Sequence, residues 1–135
     1  MNERALPLPD ADTAFFWAAT ARHELAILRC DRCGHFVHYP RPACSSCGAR
    51  ALTPTRVSGR GTVHSFTVTH RPVPGFEPPF VVALIELEEQ PGLRMVSNII
   101  GIEPEDVRIE MQVEVSFQPA TDEVWVPLFK PRERA

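Results

Sequence analysis

The sequence lacks any apolar run near the ~18 residues that a membrane-spanning helix needs. Its first ten residues, MNERALPLPD, also lack the apolar core of a secretory signal, and they carry acids where a signal carries only bases. These two absences predict a cytoplasmic protein without a membrane partner.

Lysine is also scarce: the 14 basic residues comprise thirteen arginines and one lysine, against 17 acids, and the formal net charge is −3. This argues against a binder of duplex nucleic acid, which usually presents a basic face and a high pI. The charge is uneven, however. Seven arginines face two acids between Arg22 and Arg60, whereas three arginines face eleven acids between Arg71 and Leu128. Two interpretations stay open: solvated faces arising by chance, or a basic half that meets a phosphorylated ligand or an acidic partner.

Cysteine is limited to four residues, spaced C-x2-C-x10-C-x2-C, and they are Cys30, Cys33, Cys44 and Cys47. Each pair is followed by a glycine, Gly34 or Gly48, which allows the sharp turn with positive φ that follows a metal-binding knuckle. The pattern predicts one structural Zn²⁺ held by four thiolates, with no open position for catalysis. Two disulfides or a redox CxxC are the alternatives, and a cytosolic setting and the matched pairs disfavour them.

Histidines lie close to the predicted zinc site, but four sulfurs already complete a tetrahedron. We therefore expect exposed or packing roles for His35 and His38. His64 and His70 lie six residues apart and are predicted to share one face of a strand. Without a placed carboxylate they do not form an acid–base pair.

Catalytic motifs are missing as well: the sequence has neither a GxSxG elbow nor a glycine-rich phosphate loop between a strand and a helix. All four cysteines are assigned to the metal. The residues thus predict a zinc-stabilised binding module and no enzyme activity of the chain alone.

The N-terminal segment 1–24 is predicted to be an extension followed by a helix that Asp12 or Thr13 caps and that runs to about Glu24. Three consecutive aromatic residues, Phe15, Phe16 and Trp17, would cover roughly 200° of its circumference. A short helix can hardly bury all three against its own protein. Either the zinc ribbon covers them, or they dock a partner, as exposed aromatic clusters often do.

Residues 25–56 are predicted to form the zinc ribbon, with strands at Leu25–Arg29 and Phe36–Tyr39. From residue 57 to 135 five strand-like segments follow, with a single helical turn at Pro104 after the third. That count fits a five-stranded Greek-key barrel of the OB type. The second strand, PFVVALIELE, is apolar on both faces at first, which predicts a buried strand. The fold class is therefore mainly β: an N-terminal helix, a rubredoxin-like zinc ribbon and an OB-fold barrel.

The order of these motifs resembles a known family. FFWAA is followed by CDRCG and YPRPACSSCG, then by SGRGTVHSFTVTHR, PPFVVALIELEEQPGLRMVSNIIG, MQVEVSF and a closing PLF. The chain is similar, from about Pro7 to Phe129, to the zinc-ribbon plus OB-fold family long catalogued as a domain of unknown function. Its members accompany thiolase-like enzymes and acyl-CoA hydratases.

The resemblance implies a non-catalytic accessory subunit that binds a coenzyme A thioester at a thiolase-like, acyltransferase, aldolase or hydratase partner. It also implies that Cys30, Cys33, Cys44 and Cys47 hold the metal. Glu110 departs from the family, whose members usually place glycine there, so the geometry of that turn is in question.

The candidate ligand-binding cations are Arg41, held between Pro40 and Pro42, and Arg60 of the segment SGRG. Arg41 is the candidate phosphate contact. The alternative is that the PRP turn has only a structural role. Phe15, Phe16 and Trp17 are the candidate docking residues.

A single-stranded nucleic-acid module is the alternative function, since both OB barrels and zinc ribbons bind single-stranded nucleic acid. The acidic barrel half makes nucleic acid the weaker candidate.

Overall fold

The computed structural model describes residues 7–132 except Pro9 and Gly75. It contains one α-helix, α1, a 3₁₀ turn and eight strands. In chain order they are α1 (Ala14–Ala21), β1 (Leu25–Cys30), β2 (Phe36–Val37), β3 (Leu52–Val57), β4 (Arg60–Thr69), β5 (Phe80–Leu87), β6 (Arg94–Ile99), the turn Pro104–Asp106, β7 (Gln112–Pro119) and β8 (Trp125–Pro131). In the described part of the chain, no helix is both long and apolar enough to cross a bilayer.

Helix α1 is shorter than the sequence predicts and is capped differently. The Asp10 carboxylate accepts hydrogen bonds from the backbone N–H groups of Asp12 (2.9 Å) and Thr13 (3.0 Å), and the Thr13 side chain makes no capping bond. The helix ends at Ala21 rather than at Glu24. His23 adopts the left-handed conformation, with φ of 60°, and this reverses the chain so that β1 can begin at Leu25.

The ribbon sheet has the order β2–β1–β3, with both pairs antiparallel. Strand β1 pairs along its whole length with β3, from Leu25 opposite Val57 to Cys30 opposite Leu52. Strand β2 ends at Val37 rather than at Tyr39, because the chain leaves the sheet there to reach the barrel. The prediction of its length was therefore wrong by two residues.

The other strands form a closed barrel in the order β4–β5–β6–β8–β7, which confirms the predicted five-stranded OB fold and the helical turn after its third strand. Burial alternates along β5: Val81, Ala83, Ile85 and Leu87 are buried inside the barrel, and the other face is half-buried, so the strand has no exposed face. One parallel register pair, Ile99 opposite Phe129, joins β6 to β8. Phe129, with no exposed surface, sits at the centre of the core.

Glu110 occupies the turn before β7 with φ of 68°, the region that favours glycine. Its backbone N–H donates to the Val63 carbonyl at 2.7 Å, and the Val63 N–H donates to the Met111 carbonyl at 3.0 Å. The turn therefore keeps the geometry that a glycine would adopt, and the substitution leaves the barrel intact.

The helix, the ribbon and the barrel share one apolar core. Phe16 of α1, Ile27 of β1 and Phe36 of β2 belong to the same buried cluster as the inward-facing barrel residues. Two polar contacts join the ribbon to the barrel. The Gln90 side chain bonds to the backbone of Phe36, and the Val96 N–H donates to the Tyr39 hydroxyl at 3.0 Å. The ribbon is therefore fixed against one side of the barrel.

Candidate functional site

The structure brings the four predicted cysteines together. Their Sγ atoms all lie within 4.8 Å of one another, and the Cys30–Cys47 and Cys33–Cys44 pairs are each 3.6 Å apart. Four sulfurs bound to Zn²⁺ at ~2.3 Å in a tetrahedron would be about 3.8 Å apart. These distances are far longer than a disulfide bond, so they suit a metal and contradict the disulfide alternative.

The two knuckles repeat the same hydrogen bonds. The Gly34 N–H donates to the Cys30 carbonyl and the Gly48 N–H to the Cys44 carbonyl, both at 2.9 Å. Gly34 and Gly48 have φ of 80° and 79°, which confirms the turn geometry predicted from the doubled CxxCG. Contacts local in the sequence thus shape each knuckle, and the fold of the ribbon brings the two knuckles together.

The four thiols affect one another's protonation. The Cys33 backbone N–H donates to the Cys30 sulfur and lowers the pKa of that thiol to about 7. The His35 N–H lowers the pKa of Cys33, but burial and the neighbouring thiols outweigh it and raise this pKa to about 11. Four thiolates packed together need a compensating positive charge, and Zn²⁺ supplies it by binding them in the deprotonated form.

The metal position is closed and structural. Cys30 and Cys44 are buried in a small cluster with Leu28 and Val37, while the other two cysteines are exposed. Four sulfur ligands leave no coordination position for water or substrate. The chemistry that Zn²⁺ contributes here is the cross-linking of two loops in a ribbon with little core of its own.

A separate apolar cavity of about 390 Å³ lies where helix, ribbon and barrel meet. Helix α1 contributes Phe16 and Trp17, and the segment after β2 contributes His38, Tyr39 and Pro40. The barrel side is mainly apolar and comes from the loop before β5 and from β5, β6 and β8: Phe76, Phe80, Val82, Met95, Val96, Ser97, Asn98, Val126, Pro127 and Leu128. Among the described residues, no lining side chain carries a formal charge at neutral pH. The cavity therefore suits an apolar group.

His38 has one of the two roles that we expected for it, a packing role, and it also lines this cavity. Its ring stacks on Phe16 (5.9 Å between centroids) and contacts Tyr39 (4.1 Å). Burial lowers the pKa of His38 to about 4, so its imidazole is neutral near pH 7. Neither ring nitrogen has a hydrogen-bond partner in the described structure. The apolar neighbours in FVHYP were the one available signal.

The protein covers the aromatic triplet only in part. Phe16 is 8% exposed and belongs to the main core, while Phe15 and Trp17 are partly buried against it. As expected of a short helix, the protein does not bury all three side chains, although β1 and β8 both contact α1. Trp17 faces the cavity, which makes it part of the site.

The two candidate cations lie in different surroundings. Arg41 is exposed and lines a smaller cavity of about 150 Å³, which shares His38 with the apolar cavity. Arg60 instead pairs with Glu88 at 2.8 Å, and this hydrogen-bonded guanidinium lowers the pKa of the Glu88 carboxyl. The structure thus places Arg41 beside the apolar cavity and engages Arg60 on the barrel.

His64 and His70 do not form a pair on one strand face. The pairing of β4 with β5 shifts by one residue between Val63 and Ser65, which interrupts the two-residue period that we assumed. Both side chains are exposed, and His70 lies beyond the end of β4. The structure therefore does not bring the two imidazoles together on one face of β4.

Comparison with known proteins identifies both parts of the chain. Residues 17–53 match the family model for the ChsH2 rubredoxin-like zinc ribbon domain, and residues 54–118 match that for the ChsH2 C-terminal OB-fold domain.

Three similar proteins have names that indicate different functions. A probable enoyl-CoA hydratase alpha subunit of Thermomonospora curvata is 39% identical over 95% of this chain and 40% of its own length. A DUF35 domain-containing scaffold protein of Methanocaldococcus jannaschii is 38% identical over 72% of this chain and 70% of its own. The solved Ltp2-ChsH2(DUF35) aldolase superposes with a TM-score of 0.86 at 38% identity, covering 93% of this chain and 98% of that one.

This chain therefore spans about two fifths of the hydratase alpha subunit, whereas it matches most of the scaffold protein and nearly all of the matched chain of the aldolase structure. The two domain matches follow each other in the order of the ribbon and the barrel described above. The chain belongs to the ChsH2 (DUF35) family, in which a rubredoxin-like zinc ribbon precedes an OB-fold barrel.

Proposed function

We propose that the chain is a non-catalytic accessory subunit that holds an acyl-CoA thioester beside a thiolase-like or hydratase enzyme. The observation that carries this proposal is the uncharged apolar cavity between α1, the ribbon and the barrel, with Arg41 close by on the ribbon. A ligand with one apolar end and one phosphorylated end matches this arrangement of an apolar cavity beside an exposed arginine.

The size of the cavity limits what enters it. Pockets for drug-sized ligands range from about 300 to 1,000 Å³, and this one, at about 390 Å³, is near the lower end. It suits an acyl group, or a segment of the pantetheine arm, and not the whole thioester. The nucleotide phosphates would remain outside, where an exposed arginine is well shaped to bind them. Arg41 is better placed for this than Arg60, whose charge Glu88 neutralises.

The enzyme partner is inferred from the relatives. One is named as a hydratase alpha subunit, another as a scaffold protein, and a third forms part of an aldolase with Ltp2. In this chain the partner would contact the outer edges of Phe15 and Trp17, since Phe16 is committed to the core. The arrangement would place the partner's catalytic residues at the mouth of the cavity, while this subunit adds no nucleophile and no open metal position.

Titration of an acyl-CoA onto the purified chain, with and without a candidate hydratase or thiolase-like enzyme encoded beside it in the genome, tests the ligand. We expect Arg41→Ala to weaken binding at least several-fold, and Arg50→Ala, an exposed arginine of the same ribbon, to leave it unchanged. The loss should shrink as salt is raised, because it arises from phosphate contacts. Equal affinities for both variants would remove Arg41 from the site.

Co-purification with the same enzyme tests the partner. Trp17→Ala should weaken the complex at least ten-fold, as central aromatic anchors do. Ile109→Ala is the matched control, because Ile109 is an exposed apolar residue (56%) that does not line the cavity. A complex that survives Trp17→Ala with unchanged affinity would mean that the helix serves only the chain's own core.

The nucleic-acid alternative has less support from the described structure. The barrel aromatics Phe117 and Trp125 already contact His23: Phe117 stacks on it at 5.6 Å between ring centroids, and Trp125 packs against it at a tilt at 4.3 Å. They therefore do not present free platforms for bases. A salt titration distinguishes it, since binding to phosphate backbones weakens steeply with salt.

A further inference from the structure

The smaller cavity, of about 150 Å³, lies between the ribbon and the barrel, and none of its described lining residues is acidic. The ribbon contributes three side chains to it that can donate hydrogen bonds: His35, Arg41 and Ser45. All three are exposed or half-buried, and within the described structure none of these side chains makes a hydrogen bond or an ion pair. Arg60, by contrast, is paired with Glu88. Free donors without an acid beside them favour an anion as the ligand of this cavity.

We propose that the cavity binds the terminal phosphate of a phosphate monoester, with His35, Arg41 and Ser45 as its donors. The inference rests on the proposed function and deepens it, because coenzyme A carries one such group, the 3′-phosphate of its ribose, in addition to an internal pyrophosphate. The three residues then determine which phosphate of the ligand the subunit recognises.

The chemistry of the donors fits a monoester better than other anions. A guanidinium binds two phosphate oxygens with its planar fork, an imidazole offers an N–H in either protonation state, and a serine offers one O–H. A monoester presents three unsubstituted oxygens to these three side chains, whereas a carboxylate presents two. The pyrophosphate of coenzyme A is linked at both ends, so it does not enter a small cavity as a tip.

The size and the stiffness of the cavity support this assignment. At about 150 Å³ it lies well below the ~300 Å³ at which pockets for drug-sized ligands begin, so it suits one group and not a whole nucleotide. Its barrel wall is fixed, because the Gln90 amide holds Phe36 and the Leu93 N–H donates to the Gln90 carbonyl at 3.1 Å. The prolines on both sides of Arg41 restrict its backbone. Donors that are already in place lose less entropy on binding.

The zinc site on the same ribbon makes direct contacts necessary. Four thiolates around one dication leave a net negative charge, which weakens the attraction of an anion to the ribbon as a whole. Binding therefore depends on the hydrogen bonds in the cavity, and the loss of a single donor should be measurable.

A matched pair of ligands tests the proposal on the full, zinc-loaded chain. Calorimetry would compare coenzyme A with 3′-dephospho-coenzyme A, which lacks the monoester and keeps the pyrophosphate. We expect the native chain to bind coenzyme A at least about 10-fold more tightly, the range of hydrogen bonds to a charged group. Arg41→Ala should reduce this ratio to less than about 3-fold, and Arg50→Ala should leave it unchanged. Equal affinities of the native chain for the two ligands overturn the proposal.

Two adjacent serines supply a second test. Ser45 and Ser46 are both exposed, but only Ser45 lines the cavity. Ser45→Glu places a carboxylate among the donors and should abolish the preference for coenzyme A, whereas Ser46→Glu should keep most of it. Zinc content shows whether each variant retains the ribbon. A folded, zinc-loaded Ser45→Glu chain with the native preference would mean that the phosphate binds elsewhere, and the proposal would be wrong.

Phenyl phosphate, a small monoester, separates this site from the proposed function. If neither coenzyme binds but phenyl phosphate shifts the NMR signals of the His35 ring and the Ser45 amide, the phosphate site stands with another ester as its source, and the acyl-CoA role fails. If both coenzymes bind equally, the monoester site fails and the accessory function stands. Absence of binding by all three ligands contradicts both.

Discussion

The side-chain amide of Gln90 pairs with both backbone groups of Phe36, fifty-four residues away in the sequence. The Phe36 N–H donates to Gln90 Oε1 at 2.8 Å, and Gln90 Nε2 donates to the Phe36 carbonyl at 3.1 Å. One side chain of the barrel thus takes the place of a neighbouring strand for β2, the shortest strand of the ribbon.

We predict that Gln90→Leu destabilises the chain by about 1–3 kcal/mol, because it leaves two partly buried backbone groups of Phe36 without partners. Urea unfolding measures the change. Gln112→Leu is the control, since Gln112 is exposed on β7. A loss no larger than that of the control would show that the Gln90 pairing adds nothing to the junction.

We predict that the purified chain contains one Zn²⁺ and that Cys47→Ser releases it and unfolds the ribbon, because metal binding supplies folding free energy here. Elemental analysis and NMR of the ribbon residues measure both effects. Ser45→Ala changes an exposed residue between the same ligands and should keep the metal. Metal-free native protein with a folded ribbon would contradict this.

Acid should destabilise the chain through His38. The folded imidazole resists protonation until about pH 4, whereas an unfolded histidine takes up a proton near pH 6.5. Between these values the unfolded state binds more protons, so the free energy of unfolding falls as pH drops from 6.5 toward 4. The loss is at most about 3 kcal/mol.

The His38→Phe variant isolates that contribution. Protonation of the zinc ligands also destabilises the protein in acid, but it affects both proteins alike. The difference in unfolding free energy between native chain and variant should therefore change across this window and be constant above about pH 7. A constant difference throughout would mean that His38 is accessible to protons in the folded state.

Gly61→Ala should cost about 1–3 kcal/mol, because the added methyl group would overlap the Glu86 carbonyl oxygen of the neighbouring strand. Gly92→Ala makes a useful comparison: it meets no atom within 4 Å, and its cost comes only from φ of 79°. Thermal unfolding of both variants checks whether Gly61→Ala destabilises the chain more than Gly92→Ala does. If Gly61→Ala were neutral, β4 and β5 would have to separate easily at that point.

How far the sequence predicted this molecule depended on the distance over which each feature is determined. The knuckles at Cys30 and Cys44 were predictable because a CxxCG turn is local, and Met111 to Phe117 showed the two-residue period of a barrel strand. The burial of His38 was not predictable in the same way. It depends on Phe16 on one side and on barrel residues some sixty positions later on the other.

The same reasoning explains the smaller errors. Helix α1 was predicted to continue past Ala21 because no residue there breaks a helix, yet the tertiary need to start β1 at Leu25 forces His23 into a positive φ. The pairing of Gln90 with Phe36 left no pattern in either segment. The sequence therefore predicted the helix, the ribbon and the barrel, but it did not predict the contacts between them.

The bond between the Val96 N–H and the Tyr39 hydroxyl makes one barrel amide a reporter on the ribbon. Val96 lies on β6, which meets β8 through one register pair. Its partner Tyr39 lies two residues after β2, the strand that follows the first knuckle. When zinc is removed, the phenol loses its fixed place, and the Val96 amide exchanges its hydrogen with solvent at an earlier opening event. The rate of deuterium uptake at the Val96 amide would thus report whether zinc occupies its site, although Val96 bonds to none of the metal ligands.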